Sequence, residues 1–525
     1  MDEEMATRID QLRELKKTVE LGGGEERITR QHERGKLTAR ERINHLLDKG
    51  SFVELNKLIG STTNNPGDGI IIGHGEIDGR TICLYSQDAT VQGGSIGALH
   101  GYMMYSLIET ALDMGVPVVG MLDSPGARTA RVDQGTRGGG GGGVGSTSEK
   151  SGSSVFFPNT QASGVIPQIA AVLGSCAGIS VYSPALNDFV FMVDGISHMF
   201  ITGPRIVKSV MGEDLTNDEL GGAKIHARVS GVADFRVNSE EQCFQDIRKL
   251  LGFLPSNNRE NPPWKDTGDN PDRMDDSLAD MVTTDPRKTY DMHKVIWSIA
   301  DNNDFFEVKT EFAPEIITGF IRLDGYPAGI VANQPMVRAG SLTVNSSNKQ
   351  ARFIRFCDAF NIPLVFLTDT PAYQPGKEQE HAGIIRHGAK VLYALCEAIV
   401  PRVNVQIRKA YGGGTLGMGV MPGLGTDFVF AWPIAETGVM GAEQTVELFY
   451  GAEIAKSDNP EEARKKFTEE YRKRSAHPFG IAASSTYIHD VIEPRETRQR
   501  IIQALKLLRG KKVSRYPKRH GNIPL

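Results

Sequence analysis

Gly115-Val-Pro-Val-Val-Gly-Met-Leu-Asp123 and Asn361-Ile-Pro-Leu-Val-Phe-Leu-Thr-Asp369 are the two stretches on which the fold turns. Each is a short apolar run between turn residues, the pattern of a strand buried on both faces in a parallel sheet. Each follows a helix-like stretch, Leu99 to Met114 in one case and Asn348 to Phe360 in the other, so the units read as βαβ and the class as α/β. The two runs lie 246 residues apart (361 less 115), and the register holds around them. Asp78-Gly79 answers Asp324-Gly325, Gly94-Ser95 answers Gly340-Ser341, Pro117 answers Pro363 and Asp123 answers Asp369. Four matches at one offset, inside one order of elements, predict a duplicated domain.

Further along, the offset shifts. Pro167 answers Pro401 and Gly178 answers Gly412 at an offset of 234, so the first half carries twelve extra residues between Asp123 and Pro167 (246 less 234). The run Gly138 to Gly143 falls in that interval and reads as an inserted loop, bounded at 129–158. Asp188-Phe-Val-Phe191 then answers Asp427-Phe-Val-Phe430 at offset 239, which puts about five additional residues in the second half around Gly414 to Gly425. Pro255 to Pro286 holds Pro262-Pro263, two Asn-Pro steps and many Asp and Asn residues, the composition of an irregular connector. The expected division is an N-terminal domain over 1–255, a linker over 256–286 and a C-terminal domain over 287–525.

The bulk numbers bound the function classes. A chain of 525 residues, 39% hydrophobic and 23% charged, is too long for one core and too apolar for disorder. Its net charge of -5 supplies no polycation for nucleic acid, and the basic stretch Lys511 to His520 reads as a solvated end. The five cysteines include no Cys-x-x-Cys pair, so neither a zinc ribbon nor a disulfide framework is expected, and a reducing cytoplasm fits. Met1 to Leu21 is charged and lacks the apolar core of a signal peptide; it reads as a helix with Ile9, Leu12 and Leu15 on one side. Ala162 to Leu186 is uncharged and long enough to span a bilayer, but Pro167, Gln168 and Pro184 favour a buried strand and turn.

Two glycine turns are the candidate site. Ser175-Cys-Ala-Gly178-Ile179 and Ala410-Tyr-Gly412-Gly413-Gly414 occupy equivalent places in the two halves. A glycine turn at the end of a buried strand can leave backbone N–H groups unpaired, and a helix starting there would strengthen them as donors to an oxyanion such as an enolate. From spacing alone the same glycines serve equally well for close packing. The six-glycine run has no following Gly-Lys-Ser/Thr, so a phosphate loop is not expected, and a lid or plain loop fits better. No Ser/His/Asp order, His-Glu-x-x-His element or paired-carboxylate motif stands out, and His381 and His387 read as structural.

Other tracts extend the signal over most of the chain: Arg34-Gly-Lys-Leu-Thr-Ala-Arg-Glu-Arg-Ile43, Ala162-Ser-Gly-Val-Ile-Pro-Gln168, Tyr182-Ser-Pro-Ala-Leu186, Phe200-Ile-Thr-Gly-Pro204, Glu219-Leu-Gly-Gly-Ala223 and Arg408-Lys-Ala-Tyr-Gly-Gly413. They resemble the carboxyltransferase subunits of propionyl-CoA-type carboxylases and the related biotin-dependent acyl-CoA decarboxylases. That resemblance implies two tandem crotonase-like ββα-superhelix domains. It also implies a mechanism that uses backbone donors: carboxybiotin on a carrier protein releases CO2, the biotin ureido nitrogen takes the α-proton of an acyl-CoA, and the enolate attacks the CO2. Carried over by position, Gly178 and Ile179 stabilise the thioester enolate, and Gly413 and Gly414 the oxyanion of biotin. Gly126, Ala127, Arg128 and Ala177 then border the acyl-CoA, and Gly412 and Leu416 the biotin and acyl pocket. No metal is implied in this subunit.

Three departures from the family pattern bear on substrate. Ile179 stands where the family often has a second glycine, Pro125 where it has glycine in Asp-Ser-Gly-Gly-Ala-Arg, and Leu416 where propionyl-type members carry Asp. The last makes the pocket more apolar and predicts an acyl group other than acetyl or propionyl. The long Gly138 to Gly143 loop resembles that of glutaconyl-CoA decarboxylases. No methionine is followed by lysine, so the biotin-accepting Ala-Met-Lys-Met is absent, and no ATP-binding glycine loop is visible. The expected partners are therefore a separate biotin carboxyl carrier protein, a biotin carboxylase subunit and further copies of this chain, as a hexamer (trimer of dimers) with the first-domain site facing the second-domain site of a partner subunit. The alternatives are the α subunit of a biotin-dependent acyl-CoA decarboxylase, a biotin-independent crotonase-type hydratase or hydrolase, and a non-catalytic scaffold.

Overall fold

The apolar run at 115–123 forms a strand over Val118–Leu122 and its twin at 361–369 one over Leu364–Thr370, with every residue of both buried. The computed structural model describes residues 2–62, 65–128, 155–285 and 288–525, so the Gly138 to Gly143 run lies outside the described residues. The chain divides into two units, Met1–Glu260 and Asn261–Leu525. Most of the 256–286 segment counts with unit 2, where Arg273 donates to the carbonyls of Ser298 (2.7 Å) and Ala300 (2.8 Å) and Trp264 donates to that of Asp324 (3.0 Å).

In unit 1 the strands are β1 (Val53–Leu55), β2 (Ile70–Ile77), β3 (Arg80–Gln87), β4 (Val118–Leu122), β5 (Gln168–Val172), β6 (Ser175–Ala177), β7 (Phe189–Val193), β8 (His198–Phe200) and β9 (Phe235–Val237). The main sheet runs β1-β2-β3-β4-β5-β7-β9, antiparallel through β3 and parallel beyond it. A parallel step needs a crossover, and the helix Ala98–Met114 supplies it between β3 and β4. That helix buries Met103, Met104, Leu107, Ile108 and Ala111 and ends at Gly115 in the left-handed region. β6 and β8 leave the sheet and pair with each other as a short parallel ribbon.

In unit 2 the strands are β10 (Phe306–Val308), β11 (Ile316–Leu323), β12 (Tyr326–Asn333), β13 (Leu364–Thr370), β14 (Arg402–Tyr411), β15 (Phe428–Ala431), β16 (Glu436–Gly438) and β17 (Asp490–Val491). The order β10-β11-β12-β13-β14-β15-β17 repeats that of unit 1, and β16 pairs with the end of β14. One ten-residue strand thus does what β5 and β6 do together in unit 1. Each unit has its own apolar core, with Ile70, Leu122, Val172 and Met192 in the first and Ile317, Val365, Val405, Trp432 and Ile501 in the second.

The duplication is conserved in backbone detail. Asp78 and Gly79 (φ 51° and 73°) and Asp324 and Gly325 (φ 54° and 77°) make two-residue hairpin turns that need positive φ at both positions. Beyond β3 and β12, Gly94 and Gly340 carry the next loop hard against the end of the neighbouring strand. A Cβ at Gly94 would lie 2.2 Å from the Asp123 carbonyl oxygen, and one at Gly340 would lie 2.6 Å from that of Asp369. Of the pairs that reveal the repeat in the sequence, Gly94 with Asp123 and Gly340 with Asp369 meet at the carboxyl edge of the sheet, whereas the Asp-Gly turns close hairpins at the opposite edge. Among the described residues no helix is long and apolar enough to cross a membrane, and Ala162 to Leu186 contains β5, β6 and short helical turns.

Candidate active site

In unit 1, loops leave the carboxyl ends of β3, β4 and β6 on the edge where open α/β sheets bind ligands. The middle loop is extended at Gly126 to Arg128. Ile96 donates to the Gly126 carbonyl at 2.8 Å, and the Ile96 carbonyl accepts from Arg128 at 3.0 Å. Backbone groups of an extended segment alternate sides, so Ala127 turns its own N–H away from Ile96. Gly126 (φ 101°) closes that contact, since a Cβ there would lie 2.5 Å from the Ala177 carbonyl oxygen and 3.9 Å from the Ile179 nitrogen.

Gly178 opens the β6 turn in the left-handed region (φ 58°), and its N–H is spent on the Ile201 carbonyl at 3.1 Å. Ile179 follows in a 3-10 turn whose first N–H groups find no acceptor within it, so the donor this turn presents is that of Ile179. Ser180 holds the turn from behind. Its hydroxyl accepts from the Ala177 N–H at 2.9 Å and donates to the Ser124 carbonyl at 3.0 Å. The Arg128 guanidinium is turned inward, paired with Asp68 and bonded to the Ser95 carbonyl at 2.8 Å and the Ser95 hydroxyl at 3.2 Å.

Unit 2 repeats the arrangement. Leu342 donates to the Ala372 carbonyl at 3.1 Å and accepts from Gln374 at 2.7 Å, which turns the N–H of Tyr373 away from Leu342. There Gly412 (φ 50°) begins the helix Gly412–Gly417, which no side chain caps, leaving the N–H groups of Gly413 and Gly414 without partners inside the helix. The helix start lies flat on the 372–373 segment: a Cβ at Gly413 would lie 2.9 Å from the Tyr373 ring, and one at Gly414 would lie 3.1 Å from the Ala372 Cα. Leu416 is half-buried one turn on. The Tyr373 ring is wedged between Gly413, Gly417 and Gly388, and its buried hydroxyl has no hydrogen-bond partner. Burial pushes that phenol up to about 12, so it stays neutral.

Two N–H groups converging from two loops form the geometry that stabilises an oxyanion. In unit 1 the segments that approach each other are 126–127 and 177–179, and in unit 2 they are 372–373 and 413–414. The carboxylates at the ends of β4 and β13 are already committed. Asp123 accepts from Lys36 (2.8 Å), Gln31 (3.1 Å) and Arg42 (3.2 Å), and Asp369 from Arg408 (3.0 Å) and the Lys409 N–H (3.1 Å). Among the described residues no cluster of His, Cys, Asp and Glu could hold a metal. Sequence reading missed the Tyr373 N–H, although Tyr373 is the twin of Ala127 at the same offset of 246.

It also missed a basic cavity. On the same edge of unit 1 the β3 loop and the helix Glu25–Glu33 border about 250 Å³, lined by Arg27, Arg30, Arg34, Thr90, Gln92 and Gly93. Residues three, four and seven apart share one face of a helix, which is the signal the sequence held. Arg27 is fixed by its bond to the Thr90 carbonyl at 3.0 Å.

Comparison with known proteins places this geometry. The sequence matches the carboxyl transferase domain over residues 30–523. It is 48% identical to the carboxyltransferase subunit of propionyl-CoA carboxylase from Haloferax mediterranei, over 99% of this chain and 100% of that one. It is 46% identical to the methylmalonyl-CoA decarboxylase subunit alpha of Veillonella parvula, over 99% of each. A crystal structure of transcarboxylase 12S, described as a hexamer assembly with methylmalonyl-coenzyme A bound, superposes with a TM-score of 0.93 at 43% identity, over 99% of this chain and 98% of that one. With crotonase-like units, paired glycine turns and relatives matched end to end, this chain belongs to the carboxyl transferase domain family and is an acyl-CoA carboxyltransferase of the propionyl-CoA carboxylase type.

Proposed function

We propose that the chain moves a carboxyl group from biotin on a separate carrier protein to the α-carbon, or the vinylogous carbon, of an acyl-CoA. The observation that carries this reading is the pair of N–H sites at equivalent places in the two units. Ala127 and Ile179 would hold the thioester oxygen and stabilise the enolate as the α-proton leaves, with Gly126 and Ala177 fixing the gap between them. Tyr373, Gly413 and Gly414 suit the ureido oxygen of biotin, since uncapped donors at an apolar, half-buried helix start match a neutral carbonyl that gains negative charge. Bound biotin supplies the carboxyl group and a ureido nitrogen to take the proton. The residues of this chain orient and polarise, and none needs to accept a proton itself.

The arginine cavity suits the phosphates of CoA. It lies on the same sheet edge as Gly126 and Ile179, bordered by the loop that follows β3. Arg27→Ala, Arg30→Ala and Arg34→Ala are each expected to raise KM for acyl-CoA about 3- to 10-fold with kcat unchanged. Removing the 3′-phosphate of the substrate should cost the native enzyme a similar factor and a triple variant almost nothing, as read from initial rates.

The partners proposed are a biotin carboxyl carrier protein, a biotin carboxylase subunit and further copies of this chain. Exposed apolar side chains support self-association: Ile206, Val210 and Met211 follow β8, and Leu448 and Phe449 follow β16. A hexamer is the form of the 12S structure and is the state proposed here. Four of the five free thiols are buried, in keeping with a cytoplasmic protein. The decarboxylase relative motivates a second reading, the reverse transfer from a malonyl-type CoA to biotin. Supplied with ATP and bicarbonate alone the chain should be inactive, and adding carrier and carboxylase should start turnover. Propionyl-CoA as the preferred acceptor in a thioester panel would match the relatives and overturn the expectation, drawn from Leu416, of an acyl group other than acetyl or propionyl. Preference for another acyl group would match the apolar Leu416 pocket. Turnover by the isolated chain would remove the need for partners.

A further inference from the structure

The β6 turn is carried by very little sheet. β6 and β8 pair over three residues each, in register Ser175↔His198, Cys176↔Met199 and Ala177↔Phe200, apart from the main sheet. A two-stranded ribbon of that length is marginal by itself. The first pair is also tied through side chains. Ser175 Oγ lies 3.1 Å from His198 Nδ1, and His198 Nε2 lies 3.2 Å from Asp218 Oδ1, in the helix Asn217–Gly221. The carboxylate of Asp218 can only accept, so Nε2 donates to it, and in the neutral ring Nδ1 accepts from the Ser175 hydroxyl. His198 is buried, whereas Asp218 reaches solvent.

A Ser-His-Asp array suggests a nucleophile, but distance rules that out. Ser175 precedes Gly178 by three residues of mostly extended chain, about 10 Å. Its hydroxyl therefore cannot share a carbonyl carbon with the Ile179 N–H. The array faces the ribbon itself, and unit 2 shows what such a place is used for. At the matching ribbon of β14 and β16, Tyr411 donates to Glu436 at 2.6 Å, and Arg472 pairs with Glu436 at 2.9 Å and with Glu443 at 2.6 Å. Different side chains thus tie the strand pair that bears each glycine turn, Ser175 three residues before Gly178 and Tyr411 one residue before Gly412.

We propose that Ser175, His198 and Asp218 are positioning residues for the thioester site, a side-chain clamp that fixes the ribbon and thereby the direction of the Ile179 N–H. The inference rests on the reading of that N–H as a donor to the thioester oxygen. The clamp acts on orientation, so it should govern kcat and the polarisation of the bound carbonyl, while CoA affinity, set elsewhere on the edge, stays as it is.

The test is infrared difference spectroscopy of propionyl-CoA labelled with carbon-13 at the thioester carbonyl, bound to the assembled protein, alongside steady-state kinetics with carboxylated carrier. In the native protein the labelled carbonyl band should move to lower frequency on binding. His198→Ala and Ser175→Ala should bind propionyl-CoA within about 3-fold of native, lose most of that movement, and lose about 10- to 100-fold in kcat, the cost of a misaimed group. His198→Gln, whose amide can accept from Ser175 and donate to Asp218, should recover most of both. Ser175→Ala removes a single oxygen and keeps the test open if His198→Ala does not fold. Native kcat and a native band in both alanine variants would overturn the clamp. A native protein that binds propionyl-CoA without moving the band would overturn the thioester reading of Ile179, and the clamp with it.

Discussion

Gly126→Ala is expected to reduce carboxyl transfer by about 100-fold or more, chiefly in kcat. The position is glycine for two reasons. Its φ of 101° is a conformation that side-chain-bearing residues avoid, and a Cβ would sit 2.5 Å from the Ala177 carbonyl oxygen. That oxygen is backbone, so no rotamer change relieves the clash. Either the 126–128 segment or the β6 turn must back away, and the N–H groups of Ala127 and Ile179 then no longer converge. A displacement near 1 Å in a catalytic constellation costs about 10²-fold. Gly195→Ala is the control. It shares a positive φ (76°) but has nothing within 4 Å of the added carbon, so it should cost about 1–2 kcal/mol of backbone strain and leave transfer intact. Equal loss in the two variants would show that left-handed strain, and not the contact with Ala177, is what matters.

The second large effect is on stability. The Arg42 guanidinium is fully buried and bonds Glu240 through Nε (2.9 Å) and Nη2 (3.0 Å), Asp123 through Nη1 (3.2 Å) and the Leu173 carbonyl through Nη2 (2.8 Å). Burial disfavours its charge, but Glu240 and Asp123 more than offset that and hold its pKa above the usual value. Arg42→Ala leaves Glu240 buried without its partner and the Leu173 carbonyl unpaired. Such a loss costs about 3–5 kcal/mol, against less than about 1 kcal/mol for Arg8→Ala, whose pair with Glu4 is exposed at 3.6 Å. Calorimetry should show a lower melting temperature for Arg42→Ala and almost none of that change for Arg8→Ala. Transfer should fall as well, because Leu173 lies between β5 and β6 and Arg42 fixes the step from the sheet to the ribbon. A native melting temperature in Arg42→Ala would mean that Lys36 and Gln31 suffice to hold this corner together.

Much of this was legible in the sequence because the duplication is exact in the places that matter. The strands β2 and β11, and β3 and β12, have the same bounds at an offset of 246, and the Asp-Gly and Gly-Ser pairs mark turns whose backbone angles agree within a few degrees. Glycine and proline report local backbone demands, so their register survives where side chains diverge. What the sequence could not convey was which N–H groups stay free. Gly178 and Ile179 read alike, yet the first donates to Ile201, 23 residues on, and only the ribbon pairing reveals it. The N–H groups of Ala127 and Tyr373 face away from Ile96 and Leu342, which depends on how those residues pair. Ser175, His198 and Asp218 are separated by 23 and 20 residues, so no local motif announces them.

The central claim is that backbone donors of the two units serve one transfer between biotin and an acyl-CoA. Its most direct test is carbon-label transfer from a carboxylated biotin carrier to an acyl-CoA, with ATP absent, followed in both directions. The account predicts acid-stable label on the acyl-CoA, loss of that transfer in Gly126→Ala, and return of label to the carrier from the carboxylated thioester. Label that stays on the carrier or escapes as CO2, with folded and assembled protein at hand, would contradict it.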